Sequence, residues 1–84
     1  MAIEEENKVK VEQIIRREGQ EFGVFIQEIT WLDTEAGPDI RLEIRFDGGA
    51  RLLTLGRDNI EFCLVDGRHE DSIRRVIQEM LKKP

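Results

Sequence analysis

The stretch IRLEIRFDGGARLLTLG, residues 40–56, decides the fold. Ile40, Leu42, Ile44 and Phe46 alternate with Arg41, Glu43 and Arg45, the period-two pattern of a strand with one apolar and one charged face. Asp47 and Gly48 then predict a tight hairpin turn of the primed kind, because Asp-Gly supplies positive φ angles. With a two-residue loop, Leu53 and Leu55 join the apolar face and Leu52 and Thr54 the other; a three-residue loop would reverse them. The two-residue loop is preferred because it buries two leucines. The ribbon also carries Arg41, Arg45 and Arg51 within an acidic chain.

Upstream, DTEAGPD (residues 33–39) reads as a loop through Gly37 and Pro38. Before it, EFGVFIQEITWL is rich in aromatic and β-branched residues and predicts a strand of about ten residues. Phe22, Val24 and Ile26 share one parity, and Ile29 and Trp31 the other. A bulge at Gln27 or Glu28 reconciles them and turns Phe25 to the opposite face. Further upstream, Val11, Ile14 and Ile15 at helical spacing predict a first helix over residues 5–18, closed by Arg16, Arg17 and Gly19.

Downstream, RDN turns the chain into a predicted fourth strand, with Ile60, Phe62 and Leu64 alternating against Glu61, Cys63 and Val65. The last element is a helix whose stripe is Ile73, Val76, Ile77, Met80 and Leu81; its acids come early and Lys82 and Lys83 last, as the helix dipole favours. The expected architecture is α+β, in the order α-β-β-β-β-α. A four-stranded, mostly antiparallel sheet carries both terminal helices on one face, since the joins are too short for parallel crossovers.

With 84 residues, a single domain spanning residues 1–84 is expected, because halving so short a chain leaves neither part an adequate core. Its stability should lie on the order of 4–12 kcal/mol. Thirteen basic and 18 acidic residues give a formal charge of −5, which opposes attraction to phosphate backbones and anionic lipid. Cys63 is the sole cysteine and the N-terminal residues show no basic and apolar leader pattern, so a reducing, cytoplasmic setting is the expectation. No apolar run approaches the ~20 residues that span a bilayer, and no membrane partner is expected.

No motif carries identifiable chemistry. His69 and Cys63 would have to pair as base and thiolate across a strand-to-helix junction, without a third orienting group; a solvated histidine and a small apolar filler is the simpler account. Asp33, Glu35 and Asp39 gather carboxylates in one loop, without the spacing of an EF-hand; a solvated or partner-docking acidic loop is favoured over a cation site. The glycines of DGGA and VDGR belong to turn chemistry and match no phosphate-binding pattern. No enzyme activity, cofactor or metal is expected.

The order α-β-β-β-α resembles that of double-stranded-RNA-binding domains. The likeness covers element order alone. Those domains bring a basic cluster to the last helix, and here that helix opens with RHEDS, residues 68–72.

If both helices cover one sheet face, the other presents Phe25, Arg41, Glu43, Arg45, Leu52, Thr54, Glu61, Cys63 and Val65, with Trp31 nearby. Aromatic residues and arginine are enriched at interfaces, and the chain has no lysine between residues 11 and 81. The partner-binding set expected from sequence is Phe25, Trp31, Asp33, Glu35, Asp39, Arg41, Arg45, Leu52 and Cys63. The corresponding function is a small, non-catalytic interaction or regulatory module, with a protein partner or its own copy as a homodimer. A nucleic-acid-related module is the alternative, either binding directly or blocking a nucleic-acid-binding groove with its acidic loop.

Overall fold

The computed structural model describes residues 3–32 and 37–82. Its elements run α1 (Glu5–Glu21), β1 (Ile26–Trp31), β2 (Asp39–Phe46), β3 (Gly49–Gly56), α2 (Arg57–Phe62) and α3 (Gly67–Lys82). The three strands form one open antiparallel sheet in the order β1-β2-β3. The fold is α+β, with three strands where four were predicted.

The hairpin follows its alternation. Ile40 pairs with Leu55 and Leu42 with Leu53, and these four, with Ile44, are buried against the helices. Phe46 pairs with Gly49 across a two-residue loop. The turn differs from the primed expectation: Gly48 has φ 103°, but Asp47 keeps a negative φ, so glycine alone carries the left-handed angle. The register of β1 on β2 shifts between Ile26 and Glu28, which is the bulge that the parity break demanded. Ile26, Ile29 and Trp31 consequently share the helix-facing side, opposite Phe46, Ile44 and Leu42. At the shift, Arg16 Nη1 donates to the Ile26 carbonyl at 2.8 Å.

Helix α1 continues one turn beyond the expected end, and this shortens β1. Gly19 is an interior position where the helix touches the strand start: a Cβ there would stand 2.9 Å from Ile26 Cγ1. The terminating glycine is Gly23, with φ 73°; its N–H bonds to Gln20 O and that of Val24 to Gly19 O at 2.7 Å, a Schellman closure.

The predicted fourth strand is instead the end of the short helix α2, followed by a turn over residues 63–65. Read as a helix, the run places Ile60 and Cys63 at i, i+3 on the core, and turns Phe62, Leu64 and Val65 outward. Phe62 is 48% exposed, which corrects its assignment to the core. The buried side chain of Asn7 secures this short helix, its Nδ2 donating to Ile60 O at 2.9 Å and Glu61 O at 3.1 Å. Those carbonyls belong to the last turn, where a helix supplies no N–H donors of its own.

In α3, Ile73, Ile77 and Met80 enter the core, while Val76 is partly exposed at its margin. Asp66 begins the helix by accepting the Arg68 N–H at 2.9 Å, and that bond holds its carboxyl below the usual range. Helices α1 and α3 are joined by Lys10–Glu70 at 3.0 Å, Arg74–Glu18 at 3.6 Å and the Gln78 Nε2–H bond to buried Glu18 at 2.7 Å.

Candidate interaction surface

Alternation along each strand creates the surface. On β2, side chains opposite in parity to Ile40, Leu42 and Ile44 are Arg41, Glu43 and Arg45; their cross-strand neighbours are Thr30 and Glu28 on β1, and Thr54, Leu52 and Ala50 on β3. The core cluster draws on the opposite side of the sheet, and Arg41, Arg45, Leu52 and Thr54 are exposed. Leu52, at 60% exposure, sits beside Glu43, and exposed Leu32 lies across from Arg41, its N–H donating to the Arg41 carbonyl.

Arg45 lies 3.9 Å from Glu28 and 3.8 Å from Glu43, with all three side chains largely in solvent. Ion pairs so exposed contribute little to stability, typically about 0–1 kcal/mol, so a partner can re-form them at small cost. Arg51 has a different task from the other ribbon arginines. Leu53's parity puts it on the helix side, where Nη1 donates to Met80 O at 2.9 Å at the end of α3 and the guanidinium lies 5.8 Å from the Phe46 ring centre.

The residues expected to bind a partner are divided by the structure. Arg41, Arg45 and Leu52 share the open face, and Asp39 is exposed at its margin, paired with Gly56. Phe25, 72% exposed, precedes β1 and borders a groove of about 410 Å³ with Arg16, Gln20 and Val24. Trp31 lies on the opposite, helix-facing side: its Nε1–H donates to Glu12 of α1 at 2.8 Å and Lys8 stands over its ring. Asp33 and Glu35 lie outside the described residues.

Cys63 is corrected most fully. It follows α2, is 3% exposed and takes a 4.0 Å contact from Asn7 Nδ2, so it belongs to the core. Burial pushes its thiol up. His69 engages other groups: Nδ1 is 2.9 Å from Asn59 Oδ1, Nε2 is 3.9 Å from Asp66, and its ring rests against Phe62. Thus the two residues considered as a base and thiolate have separate partners. Among the described residues, no three His, Cys, Asp or Glu side chains gather as metal ligands, and no helix is long and apolar enough to cross a membrane.

Two features escaped the sequence. One is the exposure of Phe62 at the end of α2 and of Leu64 just beyond it, hidden by the strand pattern. The other is a groove of about 280 Å³ between β3 and α3, lined by Arg51, Leu52, Leu53, Thr54, Val76, Glu79 and Met80, which requires knowledge of strand order. The chain matches no protein-family model, no curated protein and no solved structure.

Proposed function

We propose that the protein is a small interaction module, working by surface complementarity through the uncovered face of its sheet. The observation that carries this is the placement of exposed Leu52 among Arg41, Glu43 and Arg45 on a face that contributes nothing to the core. Its geometry suits a protein partner: a three-stranded platform holds exposed leucines, Leu32 and Leu52, among arginine and glutamate, so apolar burial supplies affinity and charges set the register. The bulge and the Arg16 bond to Ile26 O pin β1 to that platform.

Paired affinity capture with the wild-type chain and an Arg41→Ser/Arg45→Ser variant tests the proposal. Proteins retained by the first bait and lost from the second, with both baits showing the same circular dichroism and thermal unfolding, are expected. Identical retention by the two baits would overturn the role of the face. A band retarded on RNA or DNA that fades as salt rises would favour nucleic-acid binding instead.

A further inference from the structure

The sheet has two edges, and only one of them is guarded. An edge strand presents unpaired N–H and C=O groups, which folded proteins blunt with bulges, lysine, proline or charge. Strand β1 carries the bulge between Ile26 and Glu28, an arginine on its Ile26 carbonyl, and Glu28 among its outward side chains. Strand β3 has none of these. Its eight residues pair with β2 without interruption from Gly49 to Gly56, and its one charged residue, Arg51, is turned toward α3.

Two hydrogen bonds fix which way the β3 backbone faces. Leu32 N–H donates to Arg41 O on the β1 side, and Arg57 N–H donates to Pro38 O on the β3 side. Antiparallel ladders alternate, so β2 residues of Pro38's parity turn their backbone groups to β3, and Arg51, Leu53 and Leu55 answer them. The N–H and C=O groups of Ala50, Leu52 and Thr54 therefore point away from β2. The groove of about 280 Å³ runs beside this line, bordered by Arg51, Leu52, Leu53 and Thr54 of β3 and by Val76, Glu79 and Met80 of α3.

We propose that a second copy of this chain occupies the β3 edge, the two β3 strands pairing antiparallel about a two-fold axis at Leu52 to make one six-stranded sheet. This rests on the reading of the protein as an interaction module, and names a partner for it. Charge restricts where two copies can meet. Two chains of formal charge −5 repel, so they require a meeting point with no like charges opposed. The axis at Leu52 sets Leu52 against the second copy's Leu52 and Ala50 against its Thr54, all uncharged. Strand β1 instead offers a shorter, bulged edge that carries Glu28. Closed two-fold association is also the commonest symmetry of soluble oligomers, and it accounts for the exposure of Leu52.

Cysteine trapping tests the register. Hydrogen-bonded antiparallel partners stand about 5.5 Å apart at Cα, within reach of a disulfide. Under mild oxidation, Leu52→Cys should cross-link to itself, and Ala50→Cys should cross-link with Thr54→Cys when the two are mixed but not when each is alone. Glu43→Cys, one strand inward, should form no cross-link. If Glu43→Cys cross-links as readily as Leu52→Cys, the copies meet through the open face, which overturns edge pairing but keeps the interaction module. If none cross-links, edge pairing is overturned, while the module reading still rests on the paired-bait comparison.

Discussion

Asn7 shows how much of this fold hangs on single side chains. Its amide reaches from α1 across to the last turn of α2, where Ile60 O and Glu61 O have no other helical partner. An Asn7→Ala chain keeps the helix-forming residue but strands those acceptors, which should cost about 1–3 kcal/mol in denaturant-monitored unfolding. Gly19 is the opposite case, valuable for what it lacks. A methyl group would meet Ile26 Cγ1 at 2.9 Å and the Val24 carbonyl at 3.0 Å, so Gly19→Ala should destabilise by about 1–3 kcal/mol despite alanine's better helix propensity. An exposed helical glycine would give the opposite sign. Neither role is visible in sequence: Gly19 looks like a helix end because the contact that excludes its side chain comes from Ile26, seven residues on. Cys63 follows the same logic. Its buried, raised thiol should react slowly with thiol reagents at neutral pH and quickly once the chain unfolds.

At the scale of elements, legibility followed the number of residues that vote for one period. Strand β2 has Ile40, Leu42, Ile44 and Phe46 against three charges, and nothing but a strand satisfies all seven. The β1 bulge was readable because Ile26 and Ile29 could not otherwise share a face. The segment at residues 60–65 offers only six residues, nearly all apolar, and Ile60 with Cys63 satisfies a helix as well as Ile60 with Phe62 and Leu64 satisfies a strand. Asn7, more than fifty residues away, favours the helix. The core therefore includes Ile77 and excludes Phe62. Ile77→Ala should cost roughly 2–5 kcal/mol and Phe62→Ala clearly less, a contrast that a four-stranded fold would not produce. The entry to α3 adds a pH dependence. Asp66 is held below the ordinary carboxylate range by the Arg68 N–H, and Glu70 by Lys10, so both favour folding above the unfolded-state pKa values and lose that contribution as pH falls through about 4 and below. Asp66→Asn should lower the melting temperature at pH 7, with the gap to wild type closing by pH 3.

For the molecule as a whole, the organising fact is one-sidedness. All apolar parity on the sheet is spent against the helices, and the reverse side keeps Arg41, Arg45 and Leu52 in water. Sequence alternation announces that face. It does not announce the β3 edge, because a strand becomes an edge only when the chain supplies no neighbour, and the expected fourth strand was an available neighbour. Its conversion to α2 leaves the outward groups of Ala50, Leu52 and Thr54 to a second chain. The mass in solution, measured by sedimentation equilibrium over a wide concentration range, tests this most directly. Wild type and Arg45→Ser should approach twice the 9.8 kDa of the chain, and Leu52→Pro, which removes the outward N–H together with the leucine side chain, should remain at 9.8 kDa with the circular dichroism of the wild type. A wild-type mass of 9.8 kDa at every concentration, or a Leu52→Pro dimer, would contradict the account.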